Sequence, residues 1–380
     1  MKSTAAALDL GRQLPTYARA PMTVVRGEGA RVWDADGHEY LDFGGGIAVV
    51  GLGHGHPAAT AAAHAQLDRL WHSSNLYWTE PAAELASRLS ERFGGAQAFF
   101  CNSGAEAIEA ALKYARKATG RPGVVALEGG FHGRTMGALS ATGQPGKREP
   151  FAPLVPGMRF VAPNDVEALR SAVDGTVGLI LLEPILGEGG VIPLDRDFVA
   201  AAADLDALLC LDEIQAGVGR TGSFFAFEQL GVRPDLVTVA KALANGLPIG
   251  ALLVADESAG AFAPGDHGST FGGNPVSCAA ACAVVDAIDD PLLANVRERG
   301  GELAAALAAL PGVLEVRGRG LLLGAVLDRP AGEVADACRE RGLLVLSAGE
   351  DVLRLAPPLV IDGADSNEAV AVLRAVLTSA

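Results

Sequence analysis

Apolar and polar positions fall into three regimes along this 380-residue chain. In VVRGEGARVWDADGHEYLDF, apolar residues near Val24 and Val32 flank a glycine-rich turn, and Asp34 to Gly37 form a second turn. That pattern predicts a small antiparallel meander. Pro57 to Leu70 and Pro81 to Phe93 each open on proline and carry apolar residues three or four apart, which predicts two amphipathic helices. The second regime is a series of short unbroken apolar runs, QAFFC, GVVAL, VGLILL, ALLCL and LVTVA. Such runs are the signature of central strands in a parallel sheet covered on both faces. From about Ala279 the chain turns helical, and from Gly312 it alternates through VLEVRGRGLLLGAVLD, LLVLSAG and DVLRLAPPLVI, with helices expected over 333–341 and 365–378. The fold class expected is α/β: a large domain over 45–278 with a mainly parallel central sheet flanked by helices, and a smaller α+β domain over 279–380. Residues 1–44 are expected to join the smaller domain.

Composition narrows the classes of partner. Hydrophobic residues make up 49% and charged residues 20%, as a chain with a well-packed core requires. Thirty basic residues against forty-five acidic give a formal charge of −15. That field repels phosphate backbones and anionic membrane surfaces, so neither nucleic acid nor a membrane is the expected partner. Asp9 and Arg12 interrupt the first apolar stretch before it reaches the length of a signal sequence, and no run of eighteen apolar residues occurs, so a cytoplasmic location is expected. The five cysteines show no C-x-x-C spacing and read as small buried hydrophobes, with Cys278 and Cys282 on one helix face.

The candidate chemistry sits where the apolar runs end. ALLCL ends in Asp212 and LVTVA leads to Lys241. Ligands of open parallel sheets bind beyond the carboxyl ends of the strands, so this places one carboxylate and one ammonium at the mouth of the sheet. The pair suits pyridoxal phosphate (PLP), whose aldehyde a lysine amine can hold and whose ring nitrogen a carboxylate can keep protonated. The alternative is that both residues cap strand ends and face water. Ser103, followed three residues later by Glu106, is a capping box that opens a helix, and with Gly104 and Ala105 its N-terminus is a phosphate site. Phe131 can stack on a planar ring and Arg134 can pair with a carboxylate, although a core phenylalanine and a surface arginine fit the same letters. VGLILL ends in Glu183, a carboxylate able to hold an arginine or to serve a structural ion pair. Arg354, inside the apolar VLRLAPPL, needs a partner unless it lies on a wet edge strand. Two weaker signals fail: His54 and His56 lack further metal ligands at useful spacing, and neither glycine-rich stretch completes a dinucleotide fingerprint.

LDEIQAGVGRTG, AKALANGLPIGA, FHGRTMGALSATGQP and GDHGSTFGGNP together resemble the class III pyridoxal-phosphate aminotransferases, from roughly Val24 to Leu377. The resemblance implies the type I fold of PLP-dependent transferases. It implies Lys241 and Asp212 as catalytic residues, with Ser103, Gly104, Ala105, Phe131, Gln215 and Thr270 as the other cofactor ligands, Gln215 reaching the phenolic oxygen. It further implies Arg134, Glu183, Ser269 and Arg354 at the substrate, Glu183 neutralising Arg354 when an ω-amino donor is bound. A homodimer with shared active sites follows, Thr270 reaching the partner's cofactor. The wording of SNLY, FHGRTMGALSATG and GDHGSTFGGNP leans toward members that move the δ-amino group of N2-acetyl-L-ornithine to 2-oxoglutarate, a step of arginine biosynthesis. Members acting on ornithine, 4-aminobutyrate, succinyl-diaminopimelate or a carrier-linked aminoadipate semialdehyde are the alternatives. The chain departs from the family at Leu186, where glutamine is usual. A catalytically retired binding protein or regulator on the same fold is a further alternative, against which the presence of both Lys241 and Asp212 speaks.

Overall fold

The computed structural model describes residues 12–378, so the stretch around Asp9 lies outside the described residues. Strands β1 (Val24–Glu28), β2 (Arg31–Asp34) and β3 (Glu39–Asp42) form the antiparallel meander. Its second turn is fixed by Asp34 Oδ1, which accepts the N–H groups of Asp36 and His38 at 3.0 and 2.9 Å. Helices α1 (Pro57–Leu67) and α2 (Glu80–Phe93) follow. The first stops short of Leu70 because its ladder tightens, Arg69 N–H reaching back only to the Gln66 carbonyl.

The large sheet contains β4 (Ala96–Cys101), β5 (Gly123–Leu127), β6 (Met158–Val161) and β7 (Val177–Leu182). A ribbon of β8 (Ile185–Leu186) and β9 (Ile192–Pro193) comes next in the chain. β10 (Leu208–Asp212), β11 (Leu236–Val239) and β12 (Gly250–Ala255) complete the sheet, in the order β4-β12-β11-β10-β7-β5-β6. Only β12 runs antiparallel to its neighbours. The unbroken apolar runs reflect burial on both faces. Leu179 and Leu181 pack with Ile108 and Leu112 of helix α3 (Gly104–Thr119), while Ile180 and Leu182 face Leu85, Leu89 and Phe198 on the other side.

The expected division at 278/279 falls inside helix α4 (Pro275–Ala287), whose Cys278, Ala281, Cys282 and Val285 belong to the core of the large sheet. An alanine- and cysteine-rich helix gives no sign of which core it joins. Packing changes over along α5 (Asp290–Ala308): Leu293 joins that core, whereas Val296, Leu303 and Leu307 join a second one. The second core, which includes Leu41 and Phe43, lies under the antiparallel strands β13 (Val313–Arg319) and β14 (Leu322–Leu327), with α6 (Ala331–Arg339) after them. β15 (Leu343–Leu344) extends the N-terminal meander, β16 (Leu346–Ser347) and β17 (Val352–Leu355) complete the second sheet, and α7 (Gly363–Thr378) covers it. Both helices start two residues earlier than expected; Asp362 Oδ1 draws α7 forward by accepting from the N–H groups of Ala364 and Asp365. Among the described residues no helix is long and apolar enough to cross a membrane.

Candidate active site

The loops after β4, β5, β7, β10 and β11 enclose a cavity of about 410 Å³. Asp212 and Lys241 both line it, as do Ser103, Gly104, Ala105, Phe131, Arg134, Glu183 and Gln215. A strand-end carboxylate facing water would be exposed; Asp212 is 4% exposed. Its Oδ1 accepts from Ile214 N–H at 3.1 Å and from the Thr238 hydroxyl at 3.2 Å, and its Oδ2 lies 2.7 Å from His132 Nδ1. Burial opposes a charge on His132, yet the Asp212 carboxylate overrides it and holds the imidazole pKa above its usual value. His132 Nε2 has no partner. The sequence reading passed over this histidine, although it stands between the two residues nominated in the same motif.

Lys241 leaves β11 through a left-handed conformation, φ 41°, at the start of a 3₁₀ turn. A non-glycine residue held there is strained, and such strain persists where the surrounding structure over-determines it. Burial lowers the Lys241 pKa, with Arg354 acting in the same direction and Glu188 against it. An amine so placed is closer to its neutral, nucleophilic form.

The start of α3 differs in detail from the expected capping box. Ser103, extended as an N-cap residue is, accepts the Glu106 N–H at its Oγ at 3.2 Å, but the Glu106 carboxylate closes on the N–H of Asn102, at 2.8 Å, and not on that of Ser103. The N–H groups of Gly104 and Ala105, in the first turn, have no acceptor within the helix. A Cβ on Gly104 would lie 2.8 Å from Ile214 Cδ1, so glycine here also lets the helix start approach the loop after Asp212. Phe131 carries two cations around its ring: Arg134 Cζ lies 5.5 Å and Lys147 Nζ 5.6 Å from the centroid.

Arg354, on β17, is 3% exposed and does not line the cavity; it meets the lining at Gln215. Its Nη1 donates to the Gly187 carbonyl at 2.9 Å, to Gln215 Oε1 at 3.1 Å and to Glu188 Oε1 at 2.5 Å. Glu188, rather than the expected Glu183, is therefore the partner of Arg354. Glu183 accepts the Phe131 N–H at 2.8 Å and the Gly187 N–H at 3.1 Å instead. The β8–β9 turn brings Glu188 to Arg354. Arg354 and Lys241 hold the Glu188 pKa down despite its burial. Burial pushes the Glu183 carboxyl up to about 7, with Asp212 adding to the shift and His132 opposing it.

Ser269 and Thr270 do not line this cavity. Ser269 Oγ accepts from Asn102 Nδ2 at 3.0 Å, and Thr270 is exposed. The segment 267–275 instead borders a wider groove of about 510 Å³, walled on the other side by His72 to Thr79. His54 is committed to Asp42, 2.8 Å away, and no group of metal-binding side chains occurs among the described residues. Leu186, 0% exposed, fills apolar core.

The donor set fits PLP. A buried carboxylate, an amine of lowered pKa, an aromatic face and a helix start with free N–H groups surround one cavity. A family model described as aminotransferase class-III matches residues 14–377. The acetylornithine aminotransferase of Corynebacterium efficiens is 48% identical, the match covering 96% of this chain and 94% of the relative. That of Streptomyces coelicolor is 51% identical over 92% of this chain and 89% of its own. Among solved structures, N-acetylornithine aminotransferase from Stenotrophomonas maltophilia superposes with a TM-score of 0.84 at 39% identity, covering 96% of this chain and 97% of that one. An ornithine aminotransferase from Toxoplasma gondii, with partial occupancy of PLP at its active site, gives 0.94 at 32% identity, covering 99% and 95%.

Proposed function

The chain belongs to the class-III aminotransferases, and from that premise we infer that it is a PLP enzyme transferring the δ-amino group of N2-acetyl-L-ornithine to 2-oxoglutarate. The products are N-acetyl-L-glutamate 5-semialdehyde and L-glutamate, a step of arginine biosynthesis. Bound PLP supplies an aldehyde that condenses with amines and a ring that takes up the electron pair released at the substrate carbon. Lys241 would hold the cofactor, give way to the incoming amine and, once free, carry the proton released at the substrate carbon. Asp212, braced by His132 and Thr238, keeps the ring nitrogen protonated. The first turn of α3 would receive the phosphate, with Phe131 over the ring and Gln215 at the phenolic oxygen.

The observation that carries the reading of an ω-amino donor is the Arg354–Glu188 pair near Lys241, and the relatives supply the acetyl group. The reacting amine of N-acetylornithine lies far from its carboxylate, whereas the reacting carbon of glutamate bears one directly. An arginine needed for one partner and not the other must be neutralised in between, and Glu188 does so within the same chain. Arg134 takes the remaining carboxylate. A second copy of the chain completes the site, bringing Thr270 to the cofactor phosphate across the 267–275 groove, with Ser269 toward the substrate. Five buried free thiols suit a reducing, cytoplasmic setting. The test is the visible absorbance of the holoenzyme mixed with N-acetylornithine, ornithine or 4-aminobutyrate. N-acetylornithine should bleach it far faster than the others; equal or faster bleaching by another amine would transfer the assignment to that substrate.

A further inference from the structure

Glu183 is buried, 5% exposed, at the carboxyl end of β7, and among the described residues no lysine or arginine forms an ion pair with it. Its two oxygens divide their work. Oε1 accepts the N–H of Phe131, in the loop after β5, and Oε2 accepts the N–H of Gly187, in the turn after β8. The first amide belongs to the loop that lines the cavity with the Phe131 ring and Arg134. The second belongs to a turn outside the lining, whose Gly187 carbonyl and Glu188 carboxylate hold Arg354. One carboxylate thus spans the two arginines expected to grip a dicarboxylate.

We propose that Glu183 is a positioning residue for the substrate carboxylates, a brace that sets the Gly187–Glu188 turn, and through it the Arg354 guanidinium, against the Phe131–Arg134 loop. The inference rests on the aminotransferase reading above, and it gives Glu183 a task different from pairing with Arg354. Ionised, above its raised pKa of about 7, a carboxylate is the side chain that can accept on both ends at this reach. An amide accepts on one end and presents N–H to N–H on the other, so Glu183→Gln keeps the volume and breaks one arm.

Glu213 provides an internal control. It is equally buried and accepts the N–H groups of Ala226 and Phe227, each at 2.8 Å, but it does not line the cavity. The experiment compares wild-type, E183Q and E213Q holoenzymes in three readouts: glutarate binding by calorimetry, the KM and kcat for 2-oxoglutarate, and amide hydrogen exchange in the segments 128–135 and 184–191. E183Q should raise the glutarate Kd and the KM by about tenfold, the scale of one lost hydrogen bond to a charged group, with kcat falling by less. Exchange should accelerate in one or both segments. E213Q should lower thermal stability and leave glutarate binding alone. Unchanged exchange in E183Q, faster exchange with unchanged glutarate affinity, or an equal loss of affinity in E213Q would each overturn the brace. E183D, one methylene shorter and unable to reach both amides, gives the same readout should E183Q not fold. A wild-type enzyme that binds no glutarate counts against the dicarboxylate acceptor itself, and the exchange rates then decide the brace separately.

Discussion

The mouth of the sheet and the outer groove are cavities of similar size, about 410 and 510 Å³, but their walls are built differently. At the mouth, polar groups are buried and bonded to one another: Asp212 to His132 and Thr238, Arg354 to Glu188 and Gln215, Glu183 to two backbone amides. In and around the groove, large apolar side chains face outward. Leu76 is 85% exposed, Tyr77 72%, Trp78 96% and Phe271 60%. A buried polar network is costly unless it is satisfied, and a large exposed apolar patch is costly unless it is covered. The first region is therefore assembled by the chain that carries it, whereas the second is where the proposed second copy would sit. The Asn102–Ser269 hydrogen bond joins the two.

The largest effect expected is at the mouth. Lys241→Ala removes the amine that holds the cofactor and moves the proton, so the amino half-reaction should slow by on the order of 10⁴-fold or more. Single-turnover absorbance with N-acetylornithine measures it; a loss below tenfold would remove Lys241 from the chemistry. Arg354→Lys comes next. Lysine keeps the charge but lacks the planar fork that grips a carboxylate through two parallel N–H groups, and a point charge holds the half-buried Glu188 less well. Losing the bidentate grip on a substrate carboxylate costs about 1.5–3 kcal/mol, the scale of a hydrogen bond to a charged group, so kcat/KM for 2-oxoglutarate should fall by roughly 10–10². Bleaching of the holoenzyme by N-acetylornithine should change much less, and equal losses in both half-reactions would mean that Arg354 does not distinguish the two substrates.

The contrast sharpens if the groove fails by a different route. Trp78→Asp places a charge at the most exposed of these aromatic residues, 96% accessible within one chain. If a second copy covers it, the dimer should weaken by about 2 kcal/mol or more, roughly thirtyfold in dissociation constant, and PLP affinity should fall with it. Sedimentation velocity and a PLP titration measure the two together. A variant that stays dimeric with unchanged PLP affinity would separate the groove from the active site.

The two regions also differ in how far the sequence revealed them. Asp212 and Lys241 were legible because each follows an apolar run, and a charge at the end of a parallel strand has few places to go. Arg354 was legible as a charge in an apolar strand, but its partner was not. Glu183 and Glu188 are both near the end of β7, and the choice between them depends on a turn in which Gly189 sits so close to the Gly129 carbonyl that a Cβ would come within 2.6 Å of it. No periodicity encodes that approach. His132 was missed because a buried histidine beside a motif reads like any core histidine until its Asp212 contact is seen. The reversed direction of β12 was hidden for a similar reason: GALLVA reports burial on both faces and is silent about direction.

The smallest effect expected is on stability, and it also originates near the mouth. Glu213, next to Asp212 in the chain, is 0% exposed, and burial pushes its carboxyl from the ordinary 4.5 up to about 8, against the opposing pull of the Ala226 and Phe227 amides. Between those two values the folded chain binds a proton that the unfolded chain has released, so the free energy of unfolding decreases as pH rises. Glu183, pushed up to about 7, and His132, raised by Asp212, contribute in the same direction. Urea midpoints should therefore fall between about pH 5 and pH 8, more steeply than exposed carboxylates could produce. Glu213→Gln removes the titration and leaves one buried amide without its acceptor, a cost of about 1–3 kcal/mol. The variant should be less stable at pH 5 and show a flatter decline toward pH 8. A decline as steep as that of the wild type would assign the pH dependence to other groups and reduce Glu213 to a structural acceptor.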